Sequence, residues 1–181
     1  MLEPGAGHWG NYMRTTWKRL GLAGVPLALG AVASISVGQD TKDIQKQVDE
    51  VRSALPKFAI PMREVGDRFQ NMYFAAKGGN WALAAYMSKY MNGSMNPASV
   101  TKPTEYKVWK GFYDETFAPV NKAIQAKDFA AFEKAYNAVI ADCNSCHEGM
   151  GYGFIKLVKL NSPADPGINY TLKSEPGDVP K

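Results

Sequence analysis

Cysteine and histidine are scarce in this chain. Its 181 residues hold two of each: Cys143, Cys146, His8 and His147. Two thiols exclude a multi-disulfide scaffold and a two-cluster zinc module. Two histidines, widely separated, argue against catalysis by a cooperating pair. An excess of one charge is also missing. Lys+Arg 21 against Asp+Glu 17 gives a formal net charge of +4, too balanced for a nucleic-acid binder. Strand-like alternation is scarce and no internal repeat is present. With 45% hydrophobic and 21% charged residues, the composition fits neither a wholly disordered chain nor a multi-span membrane protein. The length suits one domain with a short appendage.

What is present begins with an address. Arg14, Lys18 and Arg19 follow Met13, and an apolar run extends from Leu20 to Val37, interrupted only by Gly, Pro and Ser. Small residues close it at Ala31-Val32-Ala33 or Ser36-Val37-Gly38, and polar sequence starts at Gln39-Asp40. This order of basic, apolar and small residues is that of a secretory signal peptide over residues 1–38, with Met13 as an alternative start. An uncleaved anchor is the other reading, because about 18 apolar residues just span a bilayer. Cleavage leaves 143 residues, net charge +2, with His147 as the single histidine.

From Asp40 onward the apolar spacing is helical. Leu55, Phe58, Met62, Val65, Phe69 and Met72 form one inward stripe, with Pro56 and Pro61 predicting a kink or a helix start near residue 57. Gly78-Gly79 ends that helix and Asn80 caps the next, which runs from Trp81 to about Met95 with Leu83, Met87 and Met91 or Tyr90 on one side. Asn96-Pro97 closes it before a loop through Thr101-Lys102-Pro103. A third stretch, Thr104 to about Ala126, turns Tyr106, Trp109, Tyr113, Phe117, Val120 and Ile124 inward and bends at Pro119. Asp128 caps a fourth, with Phe129, Phe132, Tyr136, Val139 and Cys143 on one face. The pattern predicts an all-α domain, an antiparallel four-helix bundle over residues 39–160. Residues 161–181 hold four prolines and two glycines and form an extended tail without helix or strand. That tail is either solvated or packed along the bundle or a partner, through Ile168, Tyr170 and Leu172.

Three of the four scarce residues fall within Cys143-Asn144-Ser145-Cys146-His147. This is C-x-x-C-H, the attachment sequence of c-type haem. Positions i, i+3 and i+4 share a helix face, so both thiols and the imidazole meet one planar ligand. The thiols form thioethers with the two vinyl groups, and His147 ligates the iron. A zinc site needs more donors than this, and a thioredoxin-like dithiol belongs at a helix start near a βαβ unit. A plain disulfide would leave the position of the only mature histidine unexplained.

On this motif and these helices the chain, over roughly residues 40–159, resembles class II c-type cytochromes, exported four-helix bundles with C-x-x-C-H on the last helix. The prolines of the first helix and the long tail depart from that pattern, in helix boundaries and dimer interface rather than in the haem. The resemblance implies one covalent haem c whose far side faces the first helix. There it directs attention to Met62, either as the distal iron ligand of a low-spin electron carrier or as core filler beside an open site. Met72 lies two to three turns further on, Met87, Met91 and Met95 read as second-helix packing or surface, and Met150 follows His147 on the proximal side. Arg63 and Arg68 flank Met62 and are either propionate partners or surface charges. Trp81, Trp109, Tyr113 and Phe117 read as core, with one or two lining the haem.

The function expected is that of a periplasmic electron carrier between redox protein partners, not an enzyme. A five-coordinate gas-binding protein is one alternative. A haem subunit of a larger dehydrogenase or respiratory complex is another, motivated by the tail; a homodimer fits either. N-terminal sequencing of protein recovered from a periplasm should read from Gln39, or from Ser34. A mature chain that still begins at Met1 or Met13 would refute the leader.

Overall fold

The computed structural model describes residues 29–180, whose regular elements are helices, with no strand among them. Proline sets several boundaries. Helix α1, Leu29–Ala54, stops just before Pro56, and α2, Ala59–Gly78, takes Pro61 into its first turn, where a missing amide is tolerated. Of the two expected outcomes, a kink or a helix start near 57, the second holds: Pro56 separates α1 from α2, which begins at Ala59. The third expected stretch is likewise two helices, α5 (Pro103–Thr116) and α6 (Ala118–Ala126), with Pro119 in the first turn of the latter. Helix α3 covers Trp81–Ser94, and the expected loop after Pro97 contains one helical turn, α4 (Ala98–Thr101). Helix α7 runs Phe129–Gly149.

Capping follows the residue types. Gly79 adopts φ 82° and closes α2, its amide donating back to Ala76. Asn80 and Asp128 accept side-chain hydrogen bonds from the Leu83 and Ala131 amides, starting α3 and α7.

The chain forms two compact units, up to Ile44 and from Gln45 onward. Most of the expected leader, residues 1–28, lies outside the described residues, while both expected cleavage positions fall within α1. No helix among the described residues is long and apolar enough to cross a membrane. The second unit holds the core. There α2 packs on α3, α3 on α6, α6 on α7 and α7 back on α2. Val65, Phe69, Met72, Met87, Met91, Trp109, Tyr113, Phe117, Val120, Ile124, Phe132, Tyr136 and Val139 are buried together, as their spacing predicts. Leu83 is only partly buried and Tyr90 is exposed, so Met91 takes the inward position.

Two sets of contacts give the helix directions. Phe69 stacks on Tyr136 at 4.1 Å, and Tyr73, one turn further along α2, reaches back to Phe129 at 6.0 Å. Helices α2 and α7 are thus antiparallel. Ser88 meets Tyr113, Asn92 accepts from the Trp109 indole and Asn96 from Tyr106, so α3 and α5 are antiparallel as well.

The segment after α7 lies along the bundle. Lys159 binds Glu133 at 2.6 Å and lies over the Tyr73 ring. The Asp165 amide and the Tyr170 hydroxyl both donate to buried Asn71. Asn80 donates to the Asn169 carbonyl, and a one-residue parallel bridge joins Asn80 to Ser174. Ile168 and Tyr170 pack on the core, but Leu172 is exposed. A short 3-10 turn, Pro176–Asp178, forms despite the proline density. Lys159 and the Tyr73 hydroxyl hold the Glu133 carboxyl below its usual range. A depressed carboxylate supports the fold above that range, so this tie is lost as pH falls through it.

Gly78 is where the tail presses hardest: a β-carbon there would collide with the Tyr170 carbonyl. Gly78→Ala should therefore lower stability by about 1–3 kcal/mol and expose residues 161–180 to protease. An unchanged melting temperature with an unchanged cleavage pattern would refute this packing.

Candidate functional site

The five residues Cys143 to His147 occupy the last two turns of α7, so the helical spacing expected for them is the spacing found. Both thiols are free. Cys143 packs against the core below Ile140, and burial, followed by Cys146 and Asp142 nearby, pushes its thiol up to about 12. Burial also raises Cys146, which lies nearer the surface. Tyr136, two turns back, is raised as well, first by burial and then by Cys143.

The chain reverses immediately after the motif. The Met150 amide donates to Cys146, Gly151 to Glu148 and Tyr152 to His147. Gly151 sits at φ 82°, so this is a left-handed glycine cap with two orphan carbonyls satisfied. The returning segment then meets α7 again. The Asn144 side chain donates to the Leu157 carbonyl at 3.0 Å and accepts from the Leu157 amide at 2.7 Å. Lys156 pairs with Glu148, whose carboxyl it holds below the usual range. His147 Nδ1 lies 3.0 Å from the Ile155 carbonyl oxygen. A carbonyl only accepts, so this contact calls for a proton on Nδ1, which in the neutral ring leaves the lone pair on Nε2. That is the arrangement of a metal-binding imidazole oriented through its other nitrogen.

Three observations test whether these residues fit a haem. The thiols are unpaired and one turn apart on one face; the imidazole has its ligating nitrogen set; and the neighbouring apolar surface is uncovered. Tyr152, Ile155, Val158 and Leu160 are exposed, and Phe154 is 82% exposed. These side chains belong to the segment that directly follows the motif and meets it at Ile155 and Leu157, and exposed apolar surface there is what a large apolar ligand would cover. The residues fit the group. Among the described residues no three His, Cys, Asp or Glu side chains are placed to hold a metal ion.

Met62 is partly buried against the core. Its level follows from the α2–α7 register. Met62 lies seven residues before Phe69, and Cys143 lies seven after Tyr136. In antiparallel helices these steps run the same way, each about 10 Å and nearly two full turns. Met62 and Cys143 therefore stand at one level, on the faces that stack Phe69 on Tyr136. Met72 is buried ten residues further on, about 15 Å away along the axis. Met87, Met91 and Met95 are all buried packing.

Arg63 pairs with Asp67 at 3.7 Å and Arg68 with Glu64 at 3.1 Å, both along the surface of α2. Trp109, Tyr113 and Phe117 are core residues. So is Trp81, which meets Phe132 toward the far end of α7 from the motif. Residue spacing did not single out Asn144, Gly151, Ile155 or Leu157. The Gly149-Met150-Gly151 sequence was the one available sign of a sharp reversal there.

Comparison with family models, with curated protein sequences and with solved structures finds no match to this chain.

With both thiols free, an alkylating reagent at mildly alkaline pH should modify Cys146 before Cys143, because Cys143 is the more deeply placed and the thiolate is the reactive form. Mass-spectrometric mapping of the first adduct checks this; Cys143 reacting first would contradict the placement.

Proposed function

We propose that this chain is an exported, periplasmic c-type cytochrome with one covalent haem, passing single electrons between redox protein partners. The observation that carries the reading is the commitment of His147 Nδ1 to the Ile155 carbonyl, beside the free thiol of Cys146 and one turn from that of Cys143 on the same helix. When bound, the haem supplies a one-electron iron couple.

The chain's own residues do the rest. Cys143, the more deeply set, and Cys146 would hold the haem, each thiol adding its sulfur and hydrogen across one vinyl group with no external oxidant. His147 would offer Nε2 to the iron, its Nδ1–H bond to Ile155 strengthening the imidazole as a donor. Met62, level with the motif, would be the second iron ligand in this reading. A thioether in that position favours ferrous iron and closes the site to small molecules. The tail that motivated a subunit of a larger complex is occupied with its own bundle through Asn71, Asn80 and Lys127.

Expression with a haem-attachment system should yield covalently bound haem. The oxidised protein should show the weak far-red band of iron–methionine sulfur, and the reduced form should ignore carbon monoxide. Met62→Ala should convert it to a high-spin form that binds carbon monoxide. A wild-type protein already high-spin and carbon-monoxide-reactive would overturn the electron-carrier reading in favour of a gas binder. An unchanged Met62→Ala spectrum would clear Met62 of the role.

A further inference from the structure

We infer that Asn144, the first of the two residues between the cysteines, is a positioning residue that sets the orientation and tautomer of His147 by clamping the returning chain at Leu157. This rests on the haem reading of the site. The clamp is two-sided: one amide side chain satisfies both the amide and the carbonyl of the same backbone residue, at 2.7 and 3.0 Å. It works as a single rung of a β-ladder, with a side chain in place of a strand. Leu157 also packs its side chain on the core, so the rung is fixed from both sides.

Two residues upstream, in the same segment, is the Ile155 carbonyl that accepts the His147 Nδ1 proton. The other end of this short segment is held by the glycine cap, where the Tyr152 amide binds the His147 carbonyl. The carbonyl facing the imidazole is thus suspended between two ties. One springs from His147 itself and the other from Asn144, one turn earlier on α7. Lys156–Glu148 adds a third tie, but it is an exposed ion pair of small worth. Asn144 is the partly buried tie, and its geometry is specific: neither an aliphatic nor a hydroxyl side chain both donates and accepts across that span.

Loss of the clamp should let Ile155 drift from the imidazole. Nδ1–H then loses its fixed acceptor and the two neutral tautomers mix. With haem bound, His147 becomes a weaker donor, less able to stabilise ferric iron, and the midpoint potential rises.

The test begins in the haem-free chain. Nitrogen-15 spectra of labelled histidine in the 39–181 protein should show mainly the Nδ1–H tautomer. Asn144→Ala should lose that bias, and Asn144→Asp, which keeps only the acceptor half, should fall between. Asn80→Ala serves as a control for general destabilisation, since it removes a remote cap, and it should leave the tautomer unchanged. In the loaded protein Asn144→Ala should raise the midpoint potential while Asn80→Ala does not. If Asn144→Ala fails to fold, Asn144→Asp decides by the same spectra. A wild-type tautomer ratio and potential in the Asn144 variants would overturn the positioning role. Failure of the wild-type chain to take up haem would overturn the reading of the site, and the haem-free spectra would still decide the clamp.

Discussion

The stack of Phe69 on Tyr136 sets the register on which the site depends. Two flat rings 4.1 Å apart and within 6° of parallel tolerate little sliding, so α2 and α7 are locked along their axes as well as across them. Tyr73 reinforces the lock through Phe129 and, by its hydroxyl, through Glu133. Two turns away in the same direction on both helices stand Met62 and Cys143. A slip of a single turn would part them by about 5 Å. The level at which the Met62 thioether stands against Cys143 is thus a consequence of aromatic packing elsewhere in the core.

A second constraint works at the end of α7. The helix stops at Gly149, the chain reverses at Gly151, and the returning segment is stitched to the helix it has just left. This makes the surroundings of His147 almost entirely local in sequence. Asn144, Ile155 and Leu157 all lie within ten residues of it. The contacts of His147 are therefore built by one short segment, whereas Met62 comes from a helix some eighty residues earlier. The two halves answer to different forces, hydrogen bonds in one and side-chain packing in the other.

The tail shows how few polar residues can order a stretch rich in proline. Asn71 and Asn80 are buried polar side chains on α2 and at the start of α3; Asn71 bonds to Asp165 and Tyr170, and Asn80, besides capping α3 through Leu83, bonds to Asn169 and Ser174. Burying them without those partners would be unfavourable, so the tail completes the bundle rather than decorating it. Gly78 allows the close approach this requires.

Much of this was legible in the residues alone. The 3.6-residue spacing of large apolar side chains determines which faces of α2, α3, α5, α6 and α7 are buried, because only one face of each helix can leave water. Glycine and the two capping residues determine where helices end, because their local chemistry needs no partner. The spacing of Cys143, Cys146 and His147 puts them on one helix face for the same local reason. Proline was legible as a disturbance but not as an outcome: whether Pro56 and Pro119 kink or divide a helix depends on what the flanking turns pack against. Only tertiary structure decided that Met62 stands level with Cys143, that the tail lies along α2 and that Asn144 and Ile155 hold the ends of one short segment beside His147. Each of these joins residues through contacts between elements, and a sequence records periodicity within an element but not the register between two.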